Sequence, residues 1–212
     1  MGQASACGTA FVSSGTWMLA GIERDLPDTS VWARERNFTN EAGALGGIRF
    51  LRNVTGFWLL EQCRTAWPEA SIETLLAAAA GAAPVPLVDV DHEALRAPDD
   101  MLATYCELAG LPGDASPGVV TRSIIESIAA KTAQVVAQLT EVEPVDDVVL
   151  FGGAARMTLL TERLCELTGR PVRAGSAEAA ALGNAAVQGI ALGVFESLVA
   201  ARQAISGEVT QP

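Results

Sequence analysis

Three stretches of this sequence predict an α/β fold, a mixed sheet with helices on both faces. Residues 145–189, VDDVVLFGGAARMTLLTERLCELTGRPVRAGSAEAAALGNAAVQG, read as strand, Gly-Gly turn, helix, strand and small-residue helix. Residues 9–23, TAFVSSGTWMLAGIE, read as two extended segments around a polar turn. Residues 116 to about 140 carry the longest helical periodicity in the chain.

The elements follow in order. Ser13-Ser14-Gly15-Thr16 forms the tip of a hairpin, where hydroxyls and a glycine amide can reach a phosphate; the same four residues also make an ordinary polar turn. Asn37, Thr39, Asn40 and Glu41, followed by three glycines, predict a shaped loop rather than regular structure. A helix is predicted from Asn53, with Phe57, Leu60, Gln62, Cys63 and Arg64 along it and Pro68 beyond its end. Residues 71–81 form an Ala/Leu-rich helix, and Ala83-Pro84-Val85-Pro86 a connector. Asp89, Asp91, Glu93, Asp99 and Asp100 lack the pivot glycine and alternating ligands of a calcium loop, so a solvated acidic loop is expected.

Ser116 and Pro117 supply start signals for the long helix, whose buried stripe is Val119, Ile124, Ile128, Thr132, Val135 and Leu139. Val148-Val149-Leu150-Phe151 is a short buried strand closing on Gly152-Gly153. Leu159, Leu160, Arg163, Leu164 and Leu167 mark the next helix, ended by Thr168-Gly169. A strand over 171–174 leads to a helix starting near Ser176-Ala177-Glu178, lined with Ala179, Ala180, Gly183 and Ala186 so that it can lie close against a sheet. A last helix runs from about Val194 to Ile205. The Gly-Gly turn, with backbone N–H groups facing outward, is a nucleotide-site layout; it is also what a plain α/β turn looks like.

Composition narrows the function classes. With 212 residues, 50% apolar and 18% charged, the expectation is one domain, residues 1–212, with a substantial core. A net charge of −11, from 14 Lys+Arg against 25 Asp+Glu, argues against a nucleic-acid surface. An acidic protein still binds a nucleotide where backbone amides, a helix N-terminus and Mg²⁺ supply the local positive field. No apolar run has the length of a membrane span, and no signal-peptide pattern is read at the start. Cys7, Cys63, Cys106 and Cys165 form no CxxC pair, which predicts reduced thiols, a cytoplasmic location, and neither disulfide framework nor zinc site. His92 is the one histidine, so a histidine-dependent triad is excluded.

FVSSGTWMLAGIE (residues 11–23) and NFTNEAGALGGIRFLRNVTGFWLLEQCRTAW (residues 37–67) carry a resemblance to the FGGY carbohydrate kinases, in their rhamnulokinase branch. The resemblance covers nearly the whole chain but only about the second half of such a kinase. It implies a ribonuclease-H-like domain of the actin-like ATPase superfamily, the C-terminal, ATP-side one, with the N-terminal domain absent from this sequence. By resemblance, Gly15 and Thr16 meet the ATP phosphates, Gly152 and Gly153 pass under the adenosine, and Asn53 contacts the sugar. Mg²⁺ arrives with ATP, and no metal ligand is assigned to the chain itself. The family's general-base aspartate lies shortly before the hairpin; Met1–Ala6 holds none, so no catalytic residue is assigned here. Glu61 stands where the family often has Gln, and Met157 where it has Asn. The implied reaction is transfer of the ATP γ-phosphate to a ketose, L-rhamnulose to L-rhamnulose 1-phosphate, with nucleotide, sugar and the N-terminal domain as partners. The alternative is a nucleotide-binding, regulatory or scaffold module that kept the fold without the chemistry.

Overall fold

The computed structural model describes residues 8–83 and 85–208. Cys7, Pro84 and the Met1–Ala6 segment lie outside the described residues. A six-stranded sheet runs in the order β3-β4-β2-β1-β5-β6. Its strands are β1 (Thr9–Ser14), β2 (Trp17–Arg24), β3 (Thr39–Ala42), β4 (Ile48–Thr55), β5 (Asp147–Gly152) and β6 (Val172–Ala174). β1, β2, β4 and β3 pair antiparallel in succession, whereas β5 pairs parallel to β1 and β6 parallel to β5. The sheet is therefore mixed. The parallel partners are reached through helical connections because a two-residue turn cannot reverse the chain into a parallel neighbour.

Alternation sends Ala10, Val12, Met18, Ala20, Ile22, Phe50, Val54, Val148 and Leu150 to one side, where they join the main apolar cluster. That side is covered by α5 (Pro117–Val142), which packs on β2 and β4 and is flanked by α3 (Ile72–Ala80) and α6 (Thr158–Thr168). Ser116 accepts a hydrogen bond from the Val119 amide, and Pro117 fills the first turn, so α5 starts where the local sequence dictates. Between Val120 and Ala129 all but Arg122 are buried, because the helix is enclosed on both flanks as well as by the sheet. α1 (Val31–Glu35), α2 (Trp58–Arg64) and α4 (Met101–Ala109) complete the elements before α5.

The opposite side is thinly covered. Leu51 and Val149 are buried there, α7 (Ala179–Ala191) rests against β5, and α8 (Leu198–Glu208) ties to β2 through Arg202 and Glu23 at 2.7 Å. Helices thus lie on both faces, as the sequence predicts.

Four local expectations change. Thr39–Ala42, expected within an irregular loop, form edge strand β3, because pairing with β4 satisfies their backbone. Residues 53–55 end a strand rather than start a helix: β4 pairs with β2 over eight residues, and Gly56 separates it from α2, which begins at Trp58. Asn53 therefore sits in a strand. Asp89 and Asp91 are not merely solvated. Asp91 meets Arg52 at 2.9 Å and Lys131 at 3.3 Å and accepts from Thr55, while Asp89 meets Lys131 at 2.8 Å. They clamp their loop to β4 and α5. Finally, α7 buries little besides Ala186: its small side chains offer the sheet too little surface to draw the whole helix in.

Candidate functional site at one end of the sheet

β1, β4 and β5 point the same way, so their carboxyl ends share one edge of the sheet. Every residue singled out in the sequence for binding lies at that edge. Gly15 and Thr16 follow β1, Gly152 closes β5 with Gly153 just after it, and Asn53 is two residues from the end of β4. In open α/β sheets this is the edge where ligands bind.

The hairpin tip is exposed at Gly15, Thr16 and Trp17. It is held from behind. The Gly15 amide donates to the Trp17 carbonyl at 3.1 Å, and the Trp58 amide, at the start of α2, donates to the Thr16 carbonyl at 2.9 Å. Gly56 allows this approach: a Cβ there would stand 2.9 Å from the Met18 nitrogen and the Thr16 oxygen. The Trp17 and Trp58 rings stack at 6.0 Å with 6° between their planes. The carbonyl of Thr16 is thus taken up by the fold, while the residue itself is exposed.

The two glycines of the turn do different things. Gly152 has φ +87° and ψ −169°, a conformation almost confined to glycine, and a Cβ on it would lie 2.1 Å from the Ser14 carbonyl oxygen. Its amide donates to the Ser176 carbonyl at 3.2 Å. Gly152 is required by the fold. Gly153 is exposed, and a Cβ built on it meets nothing within 4 Å. Nothing in the fold itself requires a glycine at Gly153, and the space over it is open.

Ser14 pairs with Gly152 in the β1–β5 ladder and is 4% exposed. Its hydroxyl donates to the Phe151 carbonyl at 2.6 Å and accepts from the Ala154 amide at 3.1 Å. The sequence places this hydroxyl among the phosphate-reaching groups; the structure turns it inward. The alternation Ala10, Val12, Ser14 already carried that signal.

After the turn, residues 153–156 form a 3-10 turn ending in exposed Arg156, a cation that sequence reasoning passed over. α6 follows without a side-chain N-cap, since Met157 occupies the capping position and packs partly buried against the core. Glu61, in the first turn of α2, pairs with Arg64 at 3.0 Å. Asn53 is exposed and forms a cross-strand row with Leu19, Ser13 and Phe151, which places it on the thinly covered face, two pairs from the tip. Among the described residues no group of three or more His, Cys, Asp or Glu is placed to hold a metal, and no helix is long and apolar enough to cross a membrane.

Comparison with known proteins agrees with this layout. A sequence model described as the C-terminal domain of the FGGY family of carbohydrate kinases matches residues 10–192. A rhamnulokinase of Bacteroides thetaiotaomicron is 36% identical over 206 residues, covering 94% of this chain and 42% of the relative. One of Oceanobacillus iheyensis is 32% identical over 92% of the chain and 43% of the relative. The chain spans about two fifths of the length of these curated relatives. Among solved structures, a ligand-bound xylulose kinase from Lactobacillus acidophilus superposes with a TM-score of 0.68 at 16% identity, over 92% of this chain and 41% of that one. A Plasmodium falciparum glycerol kinase with ADP gives a TM-score of 0.66 at 12% identity, over 92% and 41%. At these identities the two structures establish the actin-like ATPase fold.

Proposed function

Since the chain belongs to the FGGY family of carbohydrate kinases as a C-terminal domain nearest the rhamnulokinases, we propose that it is one domain forming the ATP side of a sugar kinase. The complete enzyme transfers the ATP γ-phosphate to a ketose, L-rhamnulose being the substrate that the relatives' name suggests. The observation that carries this reading is the convergence of the hairpin tip, the Gly-Gly turn and Asn53 on one carboxyl edge, with open space over Gly153. A side-chain-free surface beside exposed Thr16 fits a ligand whose flat base slides past one loop while its phosphates meet the other.

In this reading the exposed Thr16 side chain orients the phosphates, Gly153 admits the adenosine, Gly152 holds the turn's shape, and Asn53 faces the sugar. Gly15, whose amide is taken by the Trp17 carbonyl rather than free for a phosphate, keeps the tip clear of a side chain. Arg156 adds positive charge to an otherwise acidic chain. Mg²⁺ comes with the nucleotide and neutralises phosphate charge. Phosphoryl transfer needs little beyond positioning and charge neutralisation, so these residues are expected to bind and align rather than react. The general base and much of the sugar pocket are assigned to the part of the longer relatives that this sequence does not span.

The test combines binding and turnover on the 212-residue chain. Calorimetry is expected to detect MgADP, and a coupled ADP-release assay with MgATP and L-rhamnulose is expected to show no sugar-dependent turnover, since a general base typically contributes about 10²–10⁴-fold. Turnover near that of intact sugar kinases would mean that the base lies within the chain, with Glu41 and Asp25 the first residues to examine. Absence of MgADP binding would remove the nucleotide reading. The apolar Met157 at the cap of α6 favours weak binding, and a module that binds nucleotide without chemistry would show itself by MgADP binding without sugar-dependent turnover in longer forms of the protein as well.

A further inference from the structure

We propose that Ser14 is a positioning residue that locks the hairpin and the Gly-Gly turn into one cradle, setting the spacing between the loop offered to phosphates and the loop offered to adenosine. The inference rests on the nucleotide reading above but assigns a role to a side chain that touches no ligand. Burying a hydroxyl is costly unless it is hydrogen-bonded. At the end of β1, in line with Ala10 and Val12, an apolar side chain would satisfy the core. Instead a serine is buried with both hydrogen-bonding roles filled, as donor to Phe151 and acceptor from Ala154, residues 137 and 140 positions away.

The two partners bracket the turn. Phe151 precedes Gly152, and Ala154 follows the open Gly153. Ladder pairing of Ser14 with Gly152 fixes the near side of the turn, and the side chain fixes the far side. Ser14 is also followed directly by Gly15 and Thr16, so one residue governs both loops. A shift in either loop is passed to the other through two short hydrogen bonds. Misplacement by about 1 Å is enough to cost a large factor in function.

The test uses the 212-residue chain, with amide exchange read by NMR and MgADP affinity read by calorimetry. In Ser14→Ala the Ala154 amide is expected to exchange at least about tenfold faster and MgADP to bind about three- to tenfold more weakly, the range of one net hydrogen bond. Ser127→Ala serves as the comparison for general loosening. It removes another buried hydroxyl, bonded to the Val88 amide at 2.9 Å, and is expected to leave both readouts as in the parent. Ser14→Cys keeps the shape with a weak sulfur hydrogen bond and is expected to fall between; it carries the same comparison if Ser14→Ala does not fold. Unchanged Ala154 exchange in Ser14→Ala and Ser14→Cys overturns the lock, as does MgADP affinity equal to the parent's. A parent that binds no MgADP while Ser14→Ala still accelerates Ala154 exchange overturns the nucleotide reading and leaves the lock standing.

Discussion

The two faces of the sheet are unlike. The face under α5 is closed by large apolar side chains and by ion pairs whose partners are mostly buried, such as Glu126 with Arg122 and Arg163. The face under α7 and α8 is closed by small residues, and leaves Val187, Leu192 and Val194 exposed at 37%, 80% and 69%. Hydrophobic stabilisation scales with the apolar area removed from water, so the first face holds the fold together and the second contributes little. The candidate ligand residue Asn53 is on the second face. On the proposed reading, stability and binding are separated onto opposite sides of the same strands.

The sharpest test of that separation is a pair of truncations. Ile128→Ala, in the fully buried middle of α5, is expected to lower unfolding free energy by about 2–5 kcal/mol in urea titration, whereas Leu192→Ala should stay within about 0.5 kcal/mol. Similar losses for both would mean that the α7 side is structural after all. The next contrast lies inside the turn. Gly152→Ala is expected to cost about 1–3 kcal/mol, through its strained backbone and the approach to Ser14. Gly153→Val should change stability by less than about 1 kcal/mol yet abolish MgADP binding, because its branched side chain fills the space left for the ligand. Loss of folding in Gly153→Val would show that the space is not free.

Acid provides a smaller and more selective probe. Burial tends to raise the pKa of Asp89, but hydrogen bonds from Lys131 and the Asp91 amide outweigh it and hold the carboxyl below its usual range. Burial likewise raises Asp147, against hydrogen bonds from Thr9 and Arg173 that bring it down. A depressed carboxylate stabilises the fold above its ordinary pKa and loses that contribution as the pH falls below about 4. Stability should therefore decline below about pH 4. Lys131→Met should flatten the decline more than Arg173→Met, because Lys131 is 10% exposed and Arg173 60%. Equal flattening would contradict the difference between the faces. The least energetic probe is thiol labelling. Burial pushes the Cys63 thiol up to about 12 and raises Cys106 as well, so neither should be modified in the folded chain, while exposed Cys165 reacts. Peptide mapping after brief alkylation reads this directly.

What was legible in the sequence was local. Alternating residues around Ser-Ser-Gly-Thr specify the hairpin, and a serine cap, a proline and a long apolar period specify α5. Residues 53–55 misled because they run directly into the helical pattern that follows; pairing with β2, some thirty residues earlier, makes them strand. The clamp on Asp91 was hidden for the same reason, since Arg52 and Lys131 are 39 and 40 residues away. The candidate site residues were chosen through motif resemblance, which did not separate the two glycines: only three-dimensional proximity shows that Gly152 is pressed against Ser14 and Gly153 is open. For α7, small residues are compatible with tight packing or with exposure, and the pattern alone does not choose.

The parallel indoles of Trp17 and Trp58 have an optical consequence. Transition dipoles 6.0 Å apart couple, so the pair should give a near-ultraviolet circular dichroism band of its own. Trp17 is 56% exposed, so the emission of this pair is sensitive to solvent quenchers. Because the stack joins the hairpin tip to the first turn of α2, the signal follows that corner rather than the core. On heating, the near-ultraviolet band should fade before the far-ultraviolet helical signal, the probe dependence expected of a corner that opens ahead of the rest. Tryptophan emission, to which Trp32 and Trp67 also contribute, would then mix the midpoint of the tip with that of the core and understate the melting temperature of the sheet and α5.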